Sequence, residues 1–405
     1  MASVCSNASE VQKADRTGVL GRLSPQPPDA LLALIGAFRR DDRAGKIDVG
    51  VGVYRTEEGL TPVLRAVKAA EYRLLSGQTT KAYLGPEGDI EFFELLKPVL
   101  LGVRDLGDRL SGLQTPGGTG ALRLAAELIR IANPDARILV GTPTWPNHLP
   151  ILAAARLPVI NYRLFDPATQ AVCFDEMLAA LRKAAPGDVV LLHGCCHNPT
   201  GADLDLDQWA AVTDAVVERG LLPFVDFAYQ GLGDGLAPDA AGLRALLDVV
   251  PEALVAYSCD ENFGLYRERT GALFALSENG DAARTTQSNL LALARANWSM
   301  PPDHGAAIVR TVLQSEGLRA DWQAELEGMC GRIADIRNRL ASADPLLARL
   351  AHQKGMFSTL PLSPDQVRRL REEHGVYMAG SGRINIAGLT PDLIEPFITA
   401  LAAVR

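Results

Sequence analysis

The stretch DVVLLHGCCHNPTGADLDLDQWAAVTDAVVERGLLPFVD, residues 188–226, decides the fold class of this protein. It opens with an apolar run at 188–193 and closes with a second at 221–226. Between them, residues 206–219 have the apolar spacing of an amphipathic helix. Continuous apolar runs that alternate with helices are typical of parallel strands buried on both faces of a sheet. The stretch therefore predicts a strand, a crossover helix and a second, parallel strand.

The same alternation continues on both sides of this stretch. Further apolar runs predict strands at 136–141, 253–258 and 271–276. Helical spacing recurs at 66–76, 89–101, 120–132, 174–184 and 240–249. We therefore predict an α/β fold with a mostly parallel sheet that is covered by helices on both faces.

The ends of the chain have a different pattern. Residues 302–343 are helical with breaks, and the tail alternates short strands and helices at 356–360, 363–374, 376–378, 383–386 and 391–404. This pattern predicts a small α+β lobe, which we expect to pack against a short strand within 46–54. The predicted division is an N-terminal arm at 1–25, a small domain at 26–58 and 330–405, and a large cofactor-binding domain at 59–329.

Composition excludes several classes of function. The chain has 405 residues and a net charge of -8, and no basic block suggests nucleic acid or an anionic membrane as a partner. The six cysteines form no CxxC pair, and their spacing fits no zinc ligand set, so we expect no metal. Residues 1–18 lack the apolar segment of a signal peptide, and no run approaches the roughly 20 residues of a membrane span. We therefore expect a cytoplasmic protein.

Three segments that follow predicted strands or open helices carry candidate chemistry. The glycine-rich Thr115–Arg123 opens a helix, where free N–H groups suit a phosphate, although such turns often serve packing. Asn198 stands on a proline turn that could hold a ligand oxygen or be an ordinary turn. Asp226 ends a buried strand and needs a cationic partner such as a pyridinium nitrogen, unless it caps a helix.

Taken together, these segments resemble the class I aminotransferases of fold type I, closest to the aspartate and aromatic amino acid branch. The resemblance runs from Lys46 to Val404. It is carried by GVGVYR, TTKAYLG, QTPGGTGALR, PTWPNH, LLHGCCHNPTG, DFAYQG, NFGLYRERTG, RANWSMPPDHG and SGRINIAG. It implies a large domain with a mostly parallel seven-stranded sheet, and a homodimer with shared active sites. It also implies pyridoxal 5'-phosphate, or pyridoxamine 5'-phosphate, and an amino acid or keto acid as the partner molecule.

The resemblance also implies which residues hold the cofactor. Trp145 would stack on the pyridine ring, Asp226 would bond the ring nitrogen, and Asn198 and Tyr229 would bond the phenolic oxygen. His148 and His197 would support that aspartate. The residues that would hold the phosphate are Gly118, Thr119, Ser258 and Arg269, with Tyr83 reaching it across the dimer.

The substrate residues follow from the same resemblance. Arg383 would grip the substrate α-carboxylate, since a guanidinium fork fits a carboxylate with two hydrogen bonds. Gly52 would contact that carboxylate through its backbone, and Trp145 and Asn198 would line the site. Arg295 would reach a distal carboxylate from the neighbouring subunit, which favours a dicarboxylic substrate. The aromatic branch keeps both arginines, so the side chain of the substrate stays open.

One position departs from the family pattern. Where the family has the lysine that binds the cofactor covalently, this sequence has Glu261, and Asp260 stands where a small hydroxyl residue is usual. A carboxylate cannot form an imine, so the cofactor would be held noncovalently. Glu261 would then be a candidate base at the substrate α-carbon, together with Asp226 and Tyr229 as catalytic residues. Whether Asp260 or Glu261 is the working acid stays open, as does the aldehyde or amine form of the cofactor.

Three hypotheses follow from this departure. The protein could be a pyridoxal phosphate enzyme that uses Glu261 on an external aldimine formed by a free cofactor. It could instead be an aminotransferase that runs slowly or completes one half-reaction. It could also be a noncatalytic or regulatory binding protein. We favour the first, because a site without catalysis has no physical need for Asp226, Tyr229, Trp145, Arg269 and Arg383 together.

Overall fold

The structure of this protein, a computed structural model, describes residues 19–26 and 30–405. Most of the predicted arm, residues 1–18, lies outside the described residues. The strands are β1 Ile47–Asp48, β2 Leu110–Pro116, β3 Ile138–Thr142, β4 Val159–Arg163, β5 Phe165–Asp166, β6 Ala171–Val172, β7 Val189–His193, β8 Leu222–Phe227, β9 Ala253–Ser258, β10 Thr270–Leu276, β11 Phe357–Thr359, β12 Val376–Tyr377 and β13 Arg383–Asn385. The α-helices are α1 Ala30–Arg40, α2 Arg65–Gly77, α3 Ile90–Leu101, α4 Gly117–Ala132, α5 His148–Ala154, α6 Phe174–Lys183, α7 Leu206–Arg219, α8 Leu236–Asp239, α9 Ala241–Val249, α10 Gly280–Asn297, α11 Asp303–Gln314, α12 Glu316–Ala343, α13 Pro364–His374 and α14 Ile394–Ala403.

The central sheet has seven strands in the order β2-β10-β9-β8-β7-β3-β4. Only β10 runs antiparallel to its neighbours β2 and β9, and the remaining pairs are parallel. This arrangement confirms the α/β class and the mostly parallel seven-stranded sheet. The two edge strands, β2 and β4, are ones that the apolar runs of the sequence did not predict.

Both faces of this sheet are buried. In β7, Val189 and Leu191 belong to one hydrophobic cluster, whereas Val190 and Leu192 belong to the other. Because successive side chains of a strand point to opposite faces, the two clusters lie on opposite sides of the sheet. The cluster that contains Val189 also holds residues of α4, α5 and α10. Burial on both faces explains why the central strands are almost entirely apolar.

Local signals in the sequence set the ends of α7, the crossover helix of the stretch quoted first. Asp205 caps its N-terminus by accepting a hydrogen bond from the backbone N–H of Gln208, whose side chain bonds back to the backbone of Asp205. Gly220 ends the helix in the left-handed conformation, at φ 61°, which glycine adopts without strain. The predicted bounds of 206–219 are therefore confirmed.

The tail contacts the early part of the chain. Ile47 of β1 pairs with Val376 of β12 in a two-stranded parallel sheet. The backbone N–H of Asn385 donates to the carbonyl of Val49 at 2.7 Å. The strand predicted within 46–54 is shorter than expected, since it ends at Asp48 and the glycine-containing residues after it form a loop. The division into domains stays a prediction.

Two buried cysteines and a partly buried aspartate lie together in the segments that follow β7 and β8. Ligand atoms of Cys195, Cys196 and Asp239 lie within 4.8 Å of one another. The carboxylate of Asp239 already accepts backbone N–H groups of Gly231 and Gly233, at 2.8 and 3.0 Å. The carboxylate of Asp239 therefore stabilises the loop that contains Gly231 and Gly233. Among residues 19–26 and 30–405, no helix has the length and apolar character to cross a membrane.

Candidate active site

Asp226 lies at the carboxyl end of β8 and is held by a buried histidine. Its Oδ2 is 2.9 Å from Nε2 of His148, whose other ring nitrogen is 2.7 Å from Oγ1 of Thr144. Thr144 is in turn 3.0 Å from Nε2 of His193, which pairs with Asp226 across β7 and β8. Burial lowers the pKa of His193 to about 3, so this imidazole is neutral. The chain of hydrogen bonds fixes the orientation of the Asp226 carboxylate.

Asn198 and Tyr229 meet beside this carboxylate. Nδ2 of Asn198 donates to the hydroxyl of Tyr229 at 3.2 Å. Oδ1 of Asn198 is buried and has no hydrogen-bond partner among the described residues. Burial raises the pKa of Tyr229 well above its usual range, with a further contribution from Glu261. A buried acceptor without a donor is costly, which indicates that a ligand group completes this site.

Arg383 in β13 is a buried cation. It is 9% exposed, and its Nη2 donates to the carbonyl of Gly50 at 2.9 Å. Its guanidinium lies 4.8 Å from the ring centroid of Phe357, and that ring contacts Tyr229 edge to face. Within the described part of the chain it pairs with no carboxylate, and its Nε lacks a hydrogen-bond partner. A buried guanidinium without a counter-ion suits an anionic ligand.

The turn after β9 brings two acids to the same edge of the sheet. Oγ of Ser258 donates to Oε2 of Glu261 at 2.7 Å, and the carboxylate of Asp260 forms an ion pair with Arg269. The backbone N–H of Thr270 donates to Oδ1 of Asp260 at 2.9 Å. Asp260 is 3% exposed, whereas Glu261 is partly exposed.

Burial changes the acidity of both carboxyl groups. It raises the pKa of Glu261 to about 8, and the neighbouring Asp260 contributes to this shift. Burial also raises the pKa of Asp260 to about 6, although Arg269 opposes the shift. Glu261 can therefore hold a proton near neutral pH and release it to a neighbouring group.

The remaining cofactor candidates lie around these groups. Gly118 and Thr119 are in the first turn of α4, which begins at Gly117, three residues earlier than the predicted 120. The ring of Trp145 is partly buried and lies edge to face with His148, at 5.3 Å between centroids. A side chain on Gly52 would meet the ring of Phe357, which places this glycine near Arg383.

Two residues predicted to act across a dimer lie on the surface of this chain. Tyr83 is 93% exposed. Arg295 is exposed and donates to Oγ of Ser299. Lys81, the one lysine in the segment TTKAYLG, is also exposed and donates to Gln78. The roles of Tyr83 and Arg295 in a dimer stay predictions.

Several contributors were missed by reasoning from sequence. Thr144 links His148 to His193, and Phe357 lies under Arg383. Asp203 accepts the backbone N–H groups of Cys196 and His197, at 2.7 and 2.8 Å, and so shapes the turn that presents Asn198. The PTWPNH and HNPTG segments indicated this region of the chain. The spacing of residues along the sequence does not predict which side chains a buried hydroxyl or ring will contact.

The chain is similar to known proteins over nearly its whole length. Residues 44–401 match the family model described as aminotransferase class I and II. The chain belongs to this aminotransferase family. The match covers both the central sheet and the tail that carries Arg383. The family suggested by the sequence motifs is thereby confirmed.

Relatives within the family include proteins that act on aromatic and on acidic amino acids. The chain is 56% identical over 372 residues to a tyrosine aminotransferase of Rhizobium meliloti (strain 1021), covering 91% of this chain and 95% of that protein. It is 44% identical to an aspartate aminotransferase of Escherichia coli (strain K12), covering 94% and 99%. An aromatic-amino-acid aminotransferase of Burkholderia pseudomallei, described as covalently bound to pyridoxal phosphate, has a TM-score of 0.93 and 39% identity, covering 96% of this chain and 99% of that one.

Proposed function

We propose that this protein binds pyridoxal 5'-phosphate, or its amine form, noncovalently and acts on an aromatic or dicarboxylic amino acid. The observation that carries the proposal is the convergence of three groups: Asp226, Oδ1 of Asn198 and the guanidinium of Arg383. Among the described residues, Oδ1 of Asn198 has no donor and Arg383 has no carboxylate partner. These are an anion, an acceptor in need of a donor, and a cation in need of an anion. A pyridine cofactor together with an amino acid supplies all three partners.

The residues divide between the cofactor and the substrate. Asp226, held by His148, would keep the ring nitrogen protonated. Asn198 and Tyr229 would bond the phenolic group of the cofactor, whose O–H would donate to Oδ1 of Asn198. Trp145 would lie against the ring. The residues that would bind the phosphate are Gly118, Thr119, Ser258 and Arg269. When bound, the cofactor supplies an electron sink for the bonds at the α-carbon of the amino acid.

The substrate carboxylate would bind Arg383. Its guanidinium is already fixed by Gly50 and stacked on Phe357, so little conformational freedom is lost when a carboxylate binds. Arg295 from a second subunit would favour a second carboxylate, whereas the identity to a tyrosine aminotransferase favours an aromatic side chain. Both substrate classes therefore belong to the proposal.

Glu261 would hold or accept a proton at its carboxyl oxygens. Its raised pKa, about 8, suits proton transfer near neutral pH. A carboxylate cannot hold the cofactor aldehyde covalently, so the contacts above would be the whole of the binding. Aminotransferase chemistry in this chain would then be slow, or confined to one half-reaction, unless Glu261 transfers the proton effectively.

The decisive experiment combines borohydride reduction with intact mass measurement. Protein loaded with pyridoxal phosphate, without added amino acid, should retain the mass of the bare chain after reduction, while spectra before reduction show bound cofactor. A permanent mass increase by one cofactor would reject the noncovalent mode. Spectra that show no bound pyridoxal phosphate would reject the proposal that the protein binds this cofactor.

Proton transfer by Glu261 is tested separately. Loaded protein incubated with tyrosine or aspartate in deuterated water should exchange the α-proton, and Glu261→Gln should reduce this exchange by roughly 100-fold, in the range that one acid–base group contributes. Equal exchange in the variant would remove Glu261 from the mechanism. A loaded protein whose spectrum responds to no amino acid would favour a noncatalytic binding role.

A further inference from the structure

The start of α4 faces an acid of the same chain. The helix begins at Gly117, and Pro116 before it provides no side-chain cap. A Cβ built on Gly117 would lie 2.9 Å from Oδ2 of Asp260 and 2.7 Å from Nη2 of Arg269. The carboxylate and the guanidinium therefore lie directly against the first residue of this 16-residue helix. A negative charge is favoured there, because the N–H groups of the first turn have no partners within the helix.

The other donors at this position are also engaged with acids. Arg269 pairs with Asp260, and the backbone N–H of Thr270 donates to the same carboxylate at 2.9 Å. The hydroxyl of Ser258 donates a hydrogen bond to Oε2 of Glu261 at 2.7 Å, and its oxygen accepts one from the backbone N–H of Asp260 at 3.2 Å. Two of the side chains assigned to the phosphate in the proposed function, Arg269 and Ser258, are therefore occupied by carboxyl groups.

We propose that Asp260 is an internal anion that occupies the phosphate position, so that a phosphate-bearing ligand must first displace it from Arg269. This inference rests on the proposed function, because that function assigns Ser258 and Arg269 to a phosphate. The physical reason is charge: a phosphate and the Asp260 carboxylate cannot share one guanidinium at close range without strong repulsion. Arg269 keeps 44% of its side chain exposed, so it can be reached from solvent, whereas the Asp260 side chain is 4% exposed.

The displacement lowers the apparent affinity for phosphate-bearing ligands in particular. Only the fraction of molecules in which Asp260 has left Arg269 can bind them, and the apparent dissociation constant rises in inverse proportion to that fraction. Ligands that lack the phosphate do not need Arg269 and escape this effect. Asp260 would thus set how strongly the protein distinguishes phosphorylated from unphosphorylated vitamin B6 compounds.

The test compares the protein with Asp260→Ser and with the isosteric Asp260→Asn. A matched control is Asp188→Asn. Asp188 pairs with Arg137, and the exposed fractions of the two side chains, 5% and 44%, are nearly those of Asp260 and Arg269. Asp188 precedes β7 and therefore lies at the end of the sheet opposite to Asp260, which follows β9. Thermal unfolding of each protein establishes that it is folded. Titrations with pyridoxal phosphate, unphosphorylated pyridoxamine and inorganic phosphate follow, with fluorescence and thermal shift as readouts.

We expect both Asp260 variants to bind pyridoxal phosphate and inorganic phosphate at least about tenfold more tightly than the unmodified protein. Their affinity for pyridoxamine should be unchanged. The Asp188→Asn control should bind all three ligands as the unmodified protein does. Equal pyridoxal phosphate affinity in all four proteins would overturn the role of Asp260 and leave the proposed function standing. Tighter inorganic phosphate binding in the Asp260 variants, without binding of either vitamin B6 compound, would support the internal anion and reject the proposed function. The inference would be overturned if the folded Asp260 variants bound neither pyridoxal phosphate nor inorganic phosphate more tightly than the unmodified protein.

Discussion

Oγ of Ser258 donates a 2.7 Å hydrogen bond to Oε2 of Glu261, three residues along the turn that follows β9. This contact keeps the Glu261 carboxyl at the strand end, next to Asp260 and within electrostatic reach of Asp226. The position costs free energy when the carboxyl is ionised, because it is largely removed from water and faces other acids.

The stability of the protein should therefore fall as pH rises. The pKa of Glu261 is about 8 in the folded state, against about 4.5 in the unfolded chain. The folded state keeps a proton that the unfolded chain releases, so the stability present below pH 4.5 is lost progressively up to pH 8. Urea unfolding of the cofactor-free protein should show a loss of about 1–2 kcal/mol between pH 5 and pH 8, counting only part of the shift because the group is partly exposed.

Glu261→Gln is the control for this effect. The amide does not titrate, so the pH dependence should flatten between pH 6 and pH 8, whereas Asp260, with a pKa of about 6, continues to act at lower pH. An identical slope in the variant would mean that another group causes the dependence.

Restoring an amine at position 261 should change how the cofactor is held. In Glu261→Lys a primary amine replaces the carboxyl group at the edge of the sheet where Asp226 and Tyr229 lie. We expect borohydride reduction of the loaded variant to add one cofactor mass to the chain, which the unmodified protein should not gain. Failure of the variant to gain this mass, despite normal folding, would show that position 261 does not face the cofactor aldehyde.

Loss of the Asp226 carboxylate should weaken cofactor binding and stability together. Asp226→Ala leaves Nε2 of His148 buried without its partner, and such a group costs about 1–3 kcal/mol. Pyridoxal phosphate affinity should fall by roughly tenfold or more, corresponding to about 1.4 kcal/mol. Asp226→Asn separates the two effects, since it should recover most of the stability and little of the affinity. Unchanged affinity in both variants would remove Asp226 from the cofactor site.

Arg383 should determine the affinity for carboxylates. In Arg383→Ala, binding of succinate and 3-phenylpropionate to the loaded protein should weaken by roughly 10–100-fold, since hydrogen bonds to charged groups contribute about 1.5–3 kcal/mol. Arg137→Ala is the control, because Arg137 is an arginine at the far end of the strands that already pairs with Asp188. The ratio of the two affinities in the unmodified protein would also distinguish a dicarboxylic from an aromatic substrate.

The protein should be a dimer in solution. Tyr83 has 93% of its surface exposed in the single chain, and the resemblance assigns it to the phosphate of a second subunit. Sedimentation equilibrium should give twice the 43.3 kDa of one chain. Tyr83→Phe should then lower pyridoxal phosphate affinity without changing the mass. A monomer that binds the cofactor with full affinity would contradict the shared site.

The central fold was predictable because its strands are buried on both faces. Residues 253–258 and 206–219 were predicted with the bounds that the structure has. The edge strands β2, LSGLQTP, and β4, VINYR, were missed because one contains glycine and glutamine and the other alternates in polarity. An edge strand has a neighbour on one side alone, so its sequence is less constrained to be apolar.

The sequence by itself determined the α/β class, the family and the presence of acids at 260 and 261, because each of these depends on residue type and local spacing. Only the tertiary structure decided which groups those acids contact. Arg269 is nine residues from Asp260, and Arg383 is brought to Phe357 and Gly50 from a separate strand. Ion pairing and burial depend on distances across the fold, and no spacing along the chain specifies them.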